Sequence, residues 1–200
     1  QAYFRTACKR AGGVSISPLR FGDGPIKAPY YVSRADLLAC HVPAYVIKGF
    51  SMGRDVKPGG KFLVDAQWTP EGFVGHLSGQ AKSYIANNNI EVYLVNAIDK
   101  AREIGMGKRT NTILQSAFFK LAGVLPEADA IKYMKEAAYK SYSAKGDAIV
   151  ENNYKAIDAG VDAIVKIDIP AEWKNESGFD HPGVATGDDK LGNMVKNILE

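Results

Sequence analysis

Lys61-Phe62-Leu63-Val64-Asp65 and Glu91-Val92-Tyr93-Leu94-Val95-Asn96 decide the fold of this chain. Each is a short run with apolar residues on consecutive positions, and a third run, Asp36 to Cys40 (DLLAC), precedes them. Apolar residues on both sides of a strand suit a strand covered on both faces, as in a parallel sheet. Helical stretches fall between the runs, at Pro43 to Lys48, Pro70 to Leu77 and Gln80 to Asn87. Strands alternating with helices predict right-handed βαβ units in a three-layer, open, mostly parallel α/β sheet of Rossmann-like kind.

Outward from this centre the pattern changes. Gln1 to Ala11 has helical composition and is closed by Gly12-Gly13, a helix-stop signal. Val14 to Phe21 predicts an edge or antiparallel piece, since Pro18 does not suit a regular central strand. Lys108 to Lys166 carries almost no strand signal and reads as a helical C-terminal half. One helix covers about Thr110 to Gly123, a second opens at Pro126-Glu127, and a third at Gly146-Asp147. In the third, Val150, Tyr154, Ile157, Val161 and Ile164 form one apolar stripe, expected to pack against the sheet. Residues 1–170 read as one domain. Residues 171–200, polar and glycine-rich, read as an extended tail or interdomain connector.

Composition narrows the function. The 200 residues are 46% hydrophobic and 24% charged, ordinary globular usage. A net charge of +3 from 25 basic and 22 acidic side chains gives no concentrated basic stripe, which argues against nucleic acid. The most apolar run, Ile113 to Leu125, is cut by Gln115 and Lys120 and is too short for a membrane span. With no basic-then-apolar leader, the expectation is a soluble cytosolic domain, and the sequon Asn175-Glu176-Ser177 carries no weight. Cys8 and Cys40 cannot build a disulfide framework or an iron–sulfur site. His41, His76 and His181 lack metal-ligand spacing. Gly60-Lys61 is not a P-loop, because Asp55 and Phe62 stand where glycine and a hydroxyl residue belong; Lys57-Pro58-Gly59-Gly60 reads as a turn. The dinucleotide fingerprint is absent, which counts against a free-standing nucleotide-binding protein.

Four clusters remain as candidate sites. Lys108-Arg109, after Gly105-Met106-Gly107, is expected in the first turn of a helix, where cations oppose the helix dipole. Either a carboxylate such as Asp99 or Glu103 compensates them, or an anion binds. Asn111 and Gln115 lie one turn apart and present two amides on one face, for a ligand or for neighbouring backbone. Cys40-His41 ends a predicted parallel strand, where open α/β sheets place their ligand crevices. Adjacent strand residues point to opposite faces, so the pair is not a nucleophile and base; His41 is read as a polar contact at the loop mouth. Arg20, with Phe21-Gly22-Asp23-Gly24-Pro25, forms a charged turn that is either solvated or a docking loop.

These clusters coincide with a resemblance. Ser17-Pro18-Leu19-Arg20-Phe21-Gly22, Arg34-Ala35-Asp36, Ala39-Cys40-His41, Pro43-Ala44-Tyr45, Asp55-Val56-Lys57-Pro58-Gly59-Gly60, Ala101-Arg102-Glu103-Ile104-Gly105, Arg109, Asn111 and Gln115-Ser116-Ala117-Phe118-Phe119-Lys120-Leu121-Ala122 are similar to the γ-type domain of pyruvate:ferredoxin (flavodoxin) oxidoreductases, domain III of the single-chain enzymes. The likeness runs from Gln1 to about Trp173. It implies a cytoplasmic enzyme, or a hydrogenosomal one in an anaerobic protist, that is homo-oligomeric when intact. Such an enzyme decarboxylates pyruvate on thiamine diphosphate with magnesium, passes electrons through iron–sulfur clusters to ferredoxin or flavodoxin, and delivers acetyl to coenzyme A.

The resemblance implies that the thiamine and clusters sit on other domains and that this one assists coenzyme A handling without turning over alone. Lys108, Arg109 and Arg20 become candidates for its phosphates, with Asn111 and His41 as polar partners. Two departures stand out. Val42 occupies the position where the family commonly has Asn in Cys-His-Asn-Pro. The family's domain also opens with a glycine-rich strand and loop, and this chain begins within the helix after it, so an open sheet edge covered by a partner chain or another segment is expected. The rival readings are a γ subunit acting on another 2-oxoacid and a non-catalytic structural or docking module.

Overall fold

The computed structural model describes residues 2–4, 16–27, 32–47 and 55–176. Two short strands, β1 (Ala2–Phe4) and β2 (Leu19–Phe21), pair antiparallel. The main body begins with β3 (Ala35–Cys40), α1 (Pro43–Ile47), β4 (Val56–Asp65), α2 (Pro70–Gly75), α3 (Gly79–Asn87) and β5 (Glu91–Val95). It continues through α4 (Ala97–Glu103), α5 (Asn111–Ala122), α6 (Glu127–Tyr142), α7 (Asp147–Asp162), β6 (Val165–Ile167) and a 3₁₀ turn at Ala171–Asn175.

The four-stranded sheet has the order β3-β4-β5-β6. The first three strands run parallel, in register Leu38↔Phe62↔Val92 and Cys40↔Val64↔Leu94, while β6 returns antiparallel. The consecutive apolar residues of β4 and β5 divide between two faces, as the pleat requires. Phe62, Val64, Val92 and Leu94 face α1, α2 and α3 through Val46, Phe73, Leu77 and Ile85. Leu63 and Val95 face α5 through Ala117 and Leu121. Lys61, paired with Glu91 at the start of β5, donates from Nζ to Leu121 O at 2.8 Å, and Ile113 packs with Ala97 just past the end of β5, so the N-terminus of α5 lies at the carboxyl end of the sheet.

The α/β class with a mostly parallel sheet and a helical second half is what the sequence predicts, with local corrections. Ala2–Phe4 is strand where a helix is expected over Gln1 to Ala11; Gln1 and residues 5–11 lie outside the described residues. Lys57-Pro58-Gly59-Gly60 is not a separate turn but part of β4, bulged where the register moves from Ala35↔Val56 to Leu37↔Lys61. β6 is a strand that the sequence does not announce, since three residues pair by position rather than by pattern. The α7 stripe is buried at Val150, Ile157 and Val161, yet against α5 and α6; only Ile164 beyond the helix reaches the sheet core. Past 170, Ala171–Asn175 packs on α3 with Trp173 buried, and residues 177–200 lie outside the described residues. Among the described residues β3 stands at one end of the sheet, and no helix there is long and apolar enough to cross a membrane.

Candidate functional site

The carboxyl end of the parallel strands gathers the polar residues. β3 ends in Cys40, β4 in Asp65, and β5 is followed at once by Asn96. Continuing the register from Cys40↔Val64 sets His41 beside Asp65 on neighbouring strand ends. The Asp65 carboxylate accepts the Ala97 amide at 3.1 Å, fastening β4 to the start of α4. Its burial pushes its pKa up, against the pull of the Ala97 bond and of His41. His41 is exposed over its surface, but the protein crowding its ring lowers its pKa, with Asp65 acting in the other direction. Both shifts favour the neutral forms. Cys40 is buried, donates to Val42 O at 3.3 Å, and has its thiol pKa raised by that burial, which is the setting of a packed core thiol and not of a nucleophile.

Next to it, Asn96 caps α4 by accepting the Asp99 amide at 3.2 Å, and its side-chain amide donates to the Asp99 carboxylate at 2.7 Å. Asp99 also accepts from Gln67 at 2.9 Å and from Arg102 at 3.0 Å. These bonds, that from Asn96 foremost, hold the Asp99 carboxyl below its ordinary pKa. Glu103 is taken by Lys100 at 2.8 Å. Both carboxylates that could have compensated Lys108 and Arg109 are therefore engaged elsewhere.

Lys108 and Arg109 do not enter the first helical turn. They occupy the turn before α5, which starts at Asn111 behind Thr110, a residue that makes no side-chain cap. Gly105 and Gly107 both have positive φ (78° and 64°), a geometry that glycine takes without strain, and between them Met106 is buried against α4 and α5. The Met106 amide bonds to Ala101 O at 2.8 Å and the Arg109 amide to Met106 O at 3.2 Å. A pinned loop thus carries two exposed cations, and among the described residues neither forms an ion pair.

The sequence candidates are therefore partly united. His41, Lys108, Arg109 and Asn111 share the carboxyl end of the sheet. Arg20 lies in β2, which among the described residues belongs with β1 to a separate two-stranded sheet. Asn111 and Gln115 do share a face of α5, which lines a cleft of about 420 Å³ toward α6. Sequence reasoning missed Asp65, Gln67 and Asn96 as members of the site; the available signal was an acid or amide closing a parallel strand, where α/β ligand crevices form. Among the described residues no three His, Cys, Asp or Glu side chains group as metal ligands.

Comparison with known proteins adds the decisive observation: a sequence model described as pyruvate ferredoxin/flavodoxin oxidoreductase matches residues 1–163. The chain belongs to that family. It is 40% identical over 200 residues to a pyruvate-flavodoxin oxidoreductase of Klebsiella pneumoniae, a match covering all of this chain and 17% of that protein. A pyruvate:ferredoxin oxidoreductase of Moorella thermoacetica is 43% identical over 173 residues, 86% of this chain and 15% of that one. The chain thus corresponds to a small part of these larger oxidoreductases. The crystal structure of the PORC subunit of pyruvate oxidoreductase from Thermotoga maritima superposes with a TM-score of 0.61 at 15% identity, covering 84% of this chain and 81% of that subunit, a likeness of fold. The open α/β architecture is thus shared by a protein of very different sequence.

Proposed function

We propose that the chain is the domain of a pyruvate:ferredoxin (flavodoxin) oxidoreductase that assists the binding of coenzyme A. The observation that carries this reading is the loop before α5. Lys108 and Arg109 are exposed on a loop pinned by Met106, and the nearby carboxylates Asp99 and Glu103 are engaged by other cations. Paired cations with Asn111 beside them suit a phosphorylated, extended substrate, and His41 at the same end of the sheet offers a neutral hydrogen-bonding ring. The enzyme decarboxylates pyruvate and passes electrons to ferredoxin or flavodoxin in the cytoplasm. In this reading thiamine diphosphate, magnesium and the iron–sulfur clusters are carried by the rest of a homo-oligomeric polypeptide, and this chain alone does not turn over.

Lys108→Ala/Arg109→Ala in the full-length enzyme tests it. The expected result is a KM for coenzyme A raised about tenfold or more, from the loss of two charge-assisted contacts. Reduction of the electron acceptor by pyruvate in a single turnover without coenzyme A should be unchanged. An unaltered KM would overturn the phosphate assignment while leaving the family membership in place.

A further inference from the structure

Helix α6 has sixteen residues, and Ala130 and Ala138 are the only two buried in full. Along it Ala130, Tyr133, Met134, Ala137, Ala138 and Ser141 recur at alternating spacings of three and one, the stripe by which an amphipathic helix packs. All six line the cleft toward α5, so this stripe faces a gap. Tyr133 is 54% exposed, and Leu125 in the preceding turn is 44% exposed. A helix gains most of its stability from a packed face, and here Ala130 and Ala138 are packed while Tyr133, Ala137 and Ser141 of the same stripe stay exposed.

The chemistry of the gap is distinctive. About 420 Å³ in volume, it has no charged side chain in its lining, although 24% of the chain is charged. Phe119, Leu125 and Ile157 give it apolar walls, while Asn111 and Gln115 set amides at one rim. An uncharged groove with exposed aromatic and aliphatic rims is the composition of an interface core, where charged residues are depleted. What occupies it follows from chain length. The matched segment is 17% of the Klebsiella relative, so more than four-fifths of such a polypeptide lies outside it and is tethered nearby.

We propose that the cleft between α5 and α6 is an interdomain seat, filled by an uncharged segment of the same polypeptide that inserts an apolar side chain and offers a backbone group to Gln115. This rests on reading the chain as one domain of a larger enzyme. It is independent of the loop that carries Lys108 and Arg109.

Hydroxyl-radical footprinting of the full-length, ligand-free polypeptide tests it. Tyr133, Leu125 and Phe119 are expected to oxidise at least about tenfold more slowly than in the unfolded polypeptide, as core interface residues should. The double variant Leu125→Glu/Tyr133→Glu should restore reactivity at Phe119 and Met134 without changing the KM for coenzyme A. Tyr133 oxidising at close to half its unfolded rate would overturn the proposal. So would protection that appears only when coenzyme A is added, which would make the cleft a ligand pocket, or protection lost on dilution, which would assign it to a second copy. Failure of the coenzyme A reading shows instead as an unchanged KM in the Lys108→Ala/Arg109→Ala enzyme and leaves the footprint interpretable.

Discussion

Besides α4, helix α5 packs against α6 and α7, and these two meet it to opposite degrees. On the α7 side contact is backbone-close. A Cβ added at Gly160 would lie 2.3 Å from Ile113 O and 2.8 Å from Ser116 Cβ, so only glycine fits there. Ser116 Oγ donates to Ile157 O at 2.5 Å, Lys120 Nζ reaches Val161 O at 3.2 Å, and the buried Thr112 hydroxyl meets Asn153. On the α6 side the same helix lines an open cleft with uncharged residues. The close interface completes the domain from within, and the open one is the surface through which the domain joins something else.

The largest effect should come from closing the difference on the tight side. Gly160→Val places a branched side chain against the α5 backbone, forcing the helices apart. We expect a loss of about 3 kcal/mol or more in urea unfolding, at the upper end of overpacking costs. A loss below about 1 kcal/mol would mean that α5 and α7 give way easily and are no tighter than α5 and α6. Thr112→Val comes next. It keeps the shape but removes the donor to the Asn153 oxygen at 3.2 Å, and Asn153 is only 4% exposed. A buried acceptor left unpaired costs about 1–3 kcal/mol, measurable in the same unfolding experiment.

Asp65 sharpens the contrast, because its burial is only partly compensated. The fold raises its pKa, so the folded state binds the proton more tightly than the unfolded state does. Ionisation at neutral pH therefore opposes folding, and the stability it removes returns as pH falls through the raised pKa toward the ordinary carboxylate value near about 4. Asp65→Asn cannot ionise and keeps an oxygen for the Ala97 amide. The variant should be the more stable protein at pH 7, with the difference vanishing by about pH 4. A wild type more stable at pH 7 would show that the carboxylate is fully solvated or paired. Where Thr112 marks packing, Asp65 marks a polar group kept in spite of its cost, which is typical of a functional end of a sheet.

How much of this was legible follows the same division. The strands DLLAC, KFLVD and EVYLV carry their burial in their own composition, and the α7 stripe carries its periodicity, so the three parallel strands and that helix could be read directly, whereas β6 could not. The partner of that stripe could not: apolar spacing says that Ile157 is buried but not that α5 covers it, and Gly160 is a weak helix residue until Ile113 O lies beside it. At the candidate site the position of His41 was readable from the strand end, whereas Lys108, expected in the first turn of a helix, stands in the loop before α5. Asp65 was not singled out, because its role depends on the register of β3 against β4 and on the Ala97 amide, both long-range facts. Arg20 was grouped with the others on chemistry, and it stands in a two-stranded sheet of its own with β1.

The smallest effect should come from the open side, and its smallness is the point. Ala137→Leu is a small-to-large change on a helix, as Gly160→Val is, but it adds its atoms to a cleft of about 420 Å³. In the chain alone there is room for an isobutyl group, so stability should shift by no more than about 0.5 kcal/mol in either direction. In the full-length polypeptide the same change meets whatever fills the cleft and should destabilise it by about 1–3 kcal/mol, the usual cost of overpacking. Equal, near-zero effects in both would mean that nothing occupies the cleft. A large loss in the chain alone would mean that α6 is already packed, and that the two sides of α5 do not differ in kind.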